Sequence, residues 1–387
     1  MLVKGLGINF DLSEDHLMIQ DMIRKFAEKE VAPGAAERDR SMEFPREICM
    51  KLGELGLMGV NTPVEYGGSG MDSISYAIII EELSRACAST GVVSAVQNTL
   101  AQLPLYRFGS EDLRRKYLPD LASGKKIGAY GLTEPSSGSD AGSLQTSAVK
   151  NGDSYLLNGQ KVFVTNGTAA DLYIVYATVD KSKGSRGISA YVVERTFPGF
   201  KIVRKEEMLG VRASGTAQVA FENCKVPASN LIGEEGIGLR IALTTLDSGR
   251  VSIAAQAVGI AQAAYEAALK YSKERSQFGK TISNFQFIQG MLVDMITSIE
   301  AARLLVYRAS YLKDKGLTFT KEASMAKYFA STMSEKVTSH ALQIHGGYGY
   351  TKDYPVERFY RDARVTEIYE GTSEVQKMVI ARNILGG

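Results

Sequence analysis

Residues 155–167 read YLLNGQKVFVTNG, and two similar runs follow, DLYIVYATV at 171–179 and GISAYVV at 187–193. Each is short and rich in Val, Ile, Leu and Tyr. Asn151-Gly152 and Asn158-Gly159 punctuate them, a pattern of β-strands joined by tight turns. The span Ile127–Phe221 shares this texture and reads as a β domain.

The periodicity changes on both sides. Towards the N-terminus, Ser13 precedes a segment with apolar Leu17, Ile19, Met22, Ile23 and Phe26 that ends near Pro33. A second helix is expected from Pro45 through Leu55, and a third helical stretch from Asp72 to Phe108 with a break around Thr90 and Gly91. Beyond Gly238, the segments Ile241–Arg275, Phe285–Asp314, Thr320–Ile344 and Ser373–Leu385 carry apolar residues at helical spacing. They are joined by short turns, so a bundle is the natural arrangement. The order is helices, β domain, helix bundle.

Composition narrows the function. The 387 residues are 44% hydrophobic and 23% charged, as in an ordinary soluble globular protein. Lys plus Arg is 45 against 43 acidic residues, a net charge of +2. The basic cluster Arg114, Arg115, Lys116 sits beside Glu111 and Asp112, so nothing marks a nucleic-acid surface. The most apolar short run, Ala77–Ile80, ends at Glu81 and Glu82, far short of a membrane span. Residues 1–7 and the acidic Asp11, Glu14 and Asp15 do not resemble a signal peptide. Three scattered cysteines, Cys49, Cys87 and Cys224, suit a reducing compartment, and a cytoplasmic location is expected. His16, His340 and His345 lack metal-site spacing, so no metal is expected.

Six segments could carry chemistry. YGLTEPSSGSDAG (130–142) can bring backbone N–H groups and the hydroxyls of Thr133 and Ser139 to a polar ligand, or it is a solvent-facing turn. In KVFVTNG (161–167) alternation puts Phe163 and Thr165 on one strand face, which suits a flat heteroaromatic ligand and equally suits a core. LDSGR (246–250) pairs Asp247 with Arg250, which a surface ion pair alone would also explain. RSQFG (275–279) offers Arg275 to a phosphate, although arginine at a helix C-terminus is ordinary. QIHGGYGY (343–350) allows close backbone approach, and His345 reads better as a packed or exposed residue than as a base. In IYEGTSEVQ (368–376) Thr372 or Ser373 can cap a helix, and Ser373 with Gln376 has capping-box spacing. Glu370 just before it is either a poised base or a surface glutamate. Rossmann, P-loop and GxSxG signatures are absent.

Together, and in this order, the six segments resemble the acyl-CoA dehydrogenase family over nearly the whole chain, nearest its short-chain, butyryl-CoA type. The resemblance implies an α+β fold: an N-terminal helical domain (1–124), a middle β-barrel-like domain (125–236) and a C-terminal four-helix bundle (237–387). It implies FAD-dependent α,β-dehydrogenation of short-chain acyl-CoA in a homotetramer built as a dimer of dimers, with electrons leaving through electron-transferring flavoprotein. An acyl-CoA oxidase and a non-enzymatic flavoprotein scaffold are the alternatives.

By the same resemblance Glu370 is the base that takes the α-proton while the β-hydride goes to flavin N5. Leu132, Thr133, Thr165 and Phe163 match positions around the flavin ring; Phe163 stands where relatives often have tryptophan, a residue this chain lacks. Ser139 and Thr372 match pyrophosphate contacts. Arg275, Phe278, Gln343 and Gly347 match contacts to a neighbouring subunit's cofactor, and Asp247, Arg250 and Gly371 match substrate contacts. Some relatives acting on branched or long chains carry their base at the position of Gly249; its absence here favours straight, shorter substrates.

Overall fold

The computed structural model describes residues 11–386, so the signal-peptide reading of residues 1–7 lies outside the described residues. Helices come first. Ser13 caps α1 (Glu14–Phe26), its hydroxyl accepting the His16 N–H at 3.3 Å. Then come α2 (Ala35–Ser41), α3 (Arg46–Glu54), α4 (Ser73–Ala86) and α5 (Ala88–Ala95). The break in this region falls at the extended residue Cys87, not at Thr90 and Gly91, which lie within α5. A Cβ on Gly91 would stand 3.0 Å from Ser84 Cβ, so the glycine serves close packing of α5 on α4 and does not end a helix.

A π-helical stretch, Val96–Gln102, continues α5 before α6 (Leu103–Phe108) and α7 (Glu111–Ala122). Its buried amides join the helices to the sheet. Gln97 donates to the carbonyls of Leu121 and Lys126 at 2.8 and 2.9 Å and accepts the Gly128 N–H at 2.8 Å, while Asn98 accepts the Val60 N–H at 2.7 Å. Buried amides are tolerated when they are bonded in this way.

The strands are β1 (Gly128–Gly131), β2 (Ser147–Asn151), β3 (Ser154–Val164), β4 (Leu172–Thr178), β5 (Ile188–Glu194), β6 (Phe200–Lys205), β7 (Ala217–Pro227) and β8 (Leu231–Ile232). They form one mixed sheet in the order β6-β7-β3-β2-β4-β5-β8, with β1 parallel to β4. The expected barrel-like closure does not occur. Strands β6 and β8 end the path and do not pair with each other. β2 meets β4 through a single pair, Ser147 with Thr178, so the sheet splays there. The two residues of β8 also offer too little backbone to complete a ring of strands. β4 is buried along its whole length, as in strands covered on both faces.

The C-terminal part is built on α8 (Gly238–Glu274), followed by a hairpin of β9 (Ser276–Gln277) and β10 (Lys280–Thr281). Next come α9 (Gln286–Asp314), α10 (Thr320–His345), α11 (Val356–Arg364) and α12 (Ser373–Leu385). Helices α8, α9 and α10 pack on one another and α12 lies along α10, the four-helix group expected. α8 also packs on α4, which makes it the wall shared by both helical layers. Among the described residues no helix is long and apolar enough to cross a membrane, and no group of three or more His, Cys, Asp and Glu could hold a metal ion.

The layers are also joined by buried charge. Arg303 on α9 meets Glu81 on α4 at 2.8 Å, with side chains 15% and 6% exposed. Arg308, by contrast, is nearly half exposed and meets Glu322 only at 3.6 Å. Arg303→Ala strands a buried carboxylate and is expected to cost about 3–5 kcal/mol, whereas Arg308→Ala should cost at most about 1 kcal/mol. Parallel thermal melts check this: a clearly lower midpoint for Arg303→Ala alone is expected, and equal midpoints would contradict the assignment.

Candidate active site

Three elements converge on one carboxylate. α8 supplies Asp247, Gly249 and Arg250, α10 supplies Lys327, and the turn before α12 supplies Glu370. The Asp247–Arg250 pair is not a surface feature: Arg250 Nη1 lies 2.6 Å from Asp247 Oδ1 and the arginine is buried. The Thr320 hydroxyl donates to the other Asp247 oxygen at 2.6 Å. Burial lowers the Arg250 pKa and raises that of Asp247, and their mutual attraction opposes both shifts.

Glu370 has a left-handed backbone, φ +53°, and Gly371 follows at φ +94°. This conformation is uncommon for a residue with a Cβ and persists only where its surroundings hold it. Here the Gln376 amide donates to the Glu370 and Gly371 carbonyls at 3.2 and 2.9 Å, and Lys327 Nζ donates to the Gly371 carbonyl at 2.8 Å. Tyr369, just before, donates its hydroxyl to Gln256. Thr372 is the helix cap, accepting the Val375 N–H at 3.3 Å. The Ser373–Gln376 capping box does not form, because Ser373 is already the first helical residue and Gln376 turns back to the two carbonyls.

Glu370 Oε2 is buried and has no hydrogen-bond partner among the described residues. Loss of water pushes this carboxyl up to about 7, against the opposing charges of Lys327 and Arg250. Lys327 is fully buried, and desolvation brings it down to about 8 while Glu370 pulls the other way. A carboxylate in this state can exchange a proton near neutral pH. Gly249 faces it directly: a Cβ built there would lie 2.9 Å from Glu370 Cδ and closer still to Oε2.

The hydroxyl-rich loop starts beside this centre. Tyr130 on β1 is within electrostatic reach of Glu370, and Leu132 shares a hydrophobic cluster with Leu246 of α8. Thr133 is half-buried and its carbonyl accepts the Val162 N–H at 2.9 Å. Lys161 donates to the Leu132 carbonyl at 3.1 Å and pairs with Glu134 at 2.7 Å. Glu134 in turn accepts the Gln145 and Thr146 N–H groups at 2.6 and 2.9 Å. This buried pair fixes both ends of the loop, while Ser139 lies exposed in its middle.

Burial follows the alternation expected for Phe163 and Thr165: Val162 and Val164 are buried, while Phe163 is exposed and Thr165 half-buried. The β3–β7 register shifts between Lys161 and Val164, Phe163 takes φ +55°, and Thr165 lies half-buried just beyond the strand. The Phe163 ring is left 61% exposed. An apolar ring presented from a strained bulge suits a planar ring system stacked against it.

Four candidates lie elsewhere. Arg275 ends α8, and Phe278 (φ +52°) with Gly279 (φ +79°) forms the β9–β10 turn, both central residues being left-handed as in a type I′ hairpin. Gln343 and Gly347 lie at the end of α10 and in the turn after it. Arg275 stacks over the Tyr348 ring at 5.8 Å, and all four candidates are exposed, Phe278 by 92%. From Arg250 to Arg275 is roughly 37 Å of helix at about 1.5 Å per residue, so this cluster is no part of the same chain's Glu370 centre. His345 is packed: buried, stacked on Tyr271 at 4.3 Å, with Nδ1 2.8 Å from the Ala341 carbonyl.

Family models for the N-terminal, middle and C-terminal domains of acyl-CoA dehydrogenase match residues 13–125, 129–224 and 236–385. The chain belongs to the acyl-CoA dehydrogenase family. Among relatives, it is 50% identical to a short-chain specific acyl-CoA dehydrogenase of Clostridium acetobutylicum, over 97% of this chain and all of that one. The butyryl-CoA dehydrogenase structure from Megasphaera elsdenii superposes with a TM-score of 0.96 at 46% identity, covering 98% of this chain and 100% of that one. A chain solved in work on the electron transferring flavoprotein of Acidaminococcus fermentans gives 0.97 at 50% identity, with the same coverage. More distant members, at 30% identity, were solved with FAD or FADH2.

Sequence reading missed Lys327 and the Lys161–Glu134 pair, and gave Gln376 a capping role in place of its bonds to the Glu370 and Gly371 carbonyls. For Lys327 a signal existed: it stands alone among Ala323, Ser324, Ala326, Ala330, Ser331 and Ser334, a stripe of small buried residues. Lys161 carried none, since a strand lysine reads as solvent-facing.

The Gly249 contact makes a prediction. Gly249→Ala should displace the Glu370 carboxylate and lower acyl-CoA-dependent dye reduction on the order of 10²-fold, as misplacement by about 1 Å can. The thermal midpoint should not fall with it, because alanine raises helix propensity. Full activity in this variant would contradict the contact.

Proposed function

We propose that this protein is an FAD-dependent dehydrogenase of short, straight-chain acyl-CoA thioesters in which Glu370 removes the α-proton. The observation that carries the reading is the buried, unpartnered Oε2 of Glu370, with Lys327 and Arg250 set around it. The exposed Phe163 ring, the Thr133 and Thr165 positions and the N-terminus of α12 at Thr372 fit a flavin dinucleotide, the last because a helix start offers N–H groups and a positive dipole end to phosphate.

Bound there, FAD would supply the two-electron sink that accepts the β-hydride. The chain's own residues prepare the thioester. Glu370 takes the α-proton on Oε2, whose lone pair no protein donor occupies. The Glu370 backbone N–H would polarise the thioester oxygen, which carries charge as the proton leaves, and such stabilisation is commonly a large term. Asp247 and Arg250 would position the substrate from α8. Gly249 leaves room for Glu370, consistent with a base at 370 and a short acyl chain.

Assembly follows from the distant cluster. Arg275, Phe278, Gln343 and Gly347 lie far along α8 and α10 from the Glu370 centre, and their exposure suits contact with the flavin of a second copy. A homotetramer built as a dimer of dimers meets this requirement, with domains at 1–124, 125–236 and 237–387. Electron-transferring flavoprotein is the proposed acceptor.

Glu370→Gln keeps shape and hydrogen bonding but not basicity. Anaerobic stopped-flow mixing with butyryl-CoA should show flavin reduction slowed by about 10² to 10⁴ or more, with FAD content and acyl-CoA binding retained. Reduction within a few-fold of wild type would rule Glu370 out as the base. In the wild type, kcat/KM over a C4 to C16 acyl-CoA series should peak at C4–C6; a maximum at C12 or beyond would refute the short-chain assignment.

A further inference from the structure

Lys327 is a lysine with no exposed surface, set in a helix face of alanines and serines. Burying an ammonium is costly unless it is paired and bonded. Its one hydrogen bond is to the Gly371 carbonyl at 2.8 Å, and that carbonyl is already bonded by Gln376 at 2.9 Å. An uncharged side chain of similar length would therefore leave no carbonyl unsatisfied, so satisfying the backbone does not explain the charge.

The charged groups facing Lys327 come from every element around it. Glu367 and Glu370 lie in the turn before α12, Glu374 on α12 and Arg250 on α8. Glu367 is taken up by Arg364, and Glu374 is exposed. Among the described residues Glu370 is the facing carboxylate with a buried, unpartnered oxygen. Arg250, the other cation near it, is already bonded to Asp247 at 2.6 Å.

We propose that Lys327 is a positioning residue for the Glu370 base: its ammonium pins the Gly371 carbonyl, fixing the left-handed turn, and supplies the positive charge that offsets the desolvation of Glu370 without occupying its proton-accepting oxygen. Among the described residues Glu370 closes no salt bridge. A direct ion pair would cover the lone pair that must receive the α-proton. A cation held one peptide away acts through space and leaves that lone pair open. The inference rests on the reading of Glu370 as base and adds the residue that sets the pH range in which that base works.

The sign of the effect is fixed. Removing the ammonium leaves desolvation less opposed, so Glu370 ionises at higher pH, and the pH of half-maximal flavin reduction moves up. The experiment measures anaerobic reduction by butyryl-CoA against pH in the FAD-loaded wild type, Lys327→Met, Lys327→Arg and Glu370→Gln. For Lys327→Met the midpoint should rise by about one unit or more, as loss of a nearby opposite charge does. The rate below the midpoint should fall about tenfold per unit and recover at alkaline pH. Lys327→Arg should keep the wild-type profile within a few-fold. Lys327→Gln, which retains a donor to Gly371 without charge, is run alongside and should show the same upward shift, so a folding defect in the methionine variant leaves the test intact. An unmoved profile in the uncharged variants, whether the rate is uniformly lower or unchanged, overturns the proposal. Glu370→Gln separates the two levels: loss of reduction at all pH values with no shift on removing Lys327 overturns this inference alone, while normal reduction in Glu370→Gln overturns the reading beneath it.

Discussion

The structure turns on the cost of keeping one carboxylate away from water. A buried carboxyl tends to hold its proton, and a base must give it up. Glu370 is kept between these limits by Lys327 from α10 and Arg250 from α8. Each cation has its own anchor: the Gly371 carbonyl for the lysine, and Asp247 with Thr320 behind it for the arginine. α8, α10, α12 and the turn carrying Glu370 must therefore all be in place before the site exists. The long shared helix α8 meets this condition, since it packs at once on α4, α9 and α10.

Elsewhere the buried acids are closed off. Glu81 is matched by Arg303, Glu82 by Arg24 and Arg85, and Glu134 by Lys161 and two backbone N–H groups. Asp362, pushed up to about 7 by burial, still accepts the Val211 N–H at 2.6 Å. Among the described residues Glu370 Oε2 is the carboxylate oxygen that is buried and unpartnered. A fold that satisfies its other acids and leaves this one open, beside a glycine that admits it, has the character of a site prepared for a substrate atom.

Much of this was legible in the chain because it rests on local rules. The Asn151-Gly152 turn marked the β region, although Asn158-Gly159, read the same way, lies within β3; helical periodicity marked the bundle, and Ser13 marked the start of α1. Glu370, Asp247 and Arg250 could be picked out by the motifs around them, and the structure brings them together. What failed depended on contacts between distant segments. Closure of the sheet is decided by how strand edges meet, and β2 touches β4 at one pair only. Gly91 looked like a helix break, yet its lack of a side chain is used for packing on Ser84. The bulge opposite β7 that carries Phe163 at φ +55° had no signal in the sequence either. Lys161 and Lys327 look like surface residues until the fold buries them against acids more than twenty-five positions away in sequence.

The account is tested most directly by titrating Glu370 itself. Glutamate-specific carboxyl-¹³C labelling with NMR detection reads glutamates without interference from Asp362, and comparison with Glu370→Gln isolates the one resonance. The account predicts a carboxyl that titrates near pH 7 in the wild type and is missing from the variant. If every glutamate resonance that disappears in Glu370→Gln titrates below about pH 5, in the range of ordinary solvated carboxylates, the picture of a desolvated base held ready between two cations is wrong.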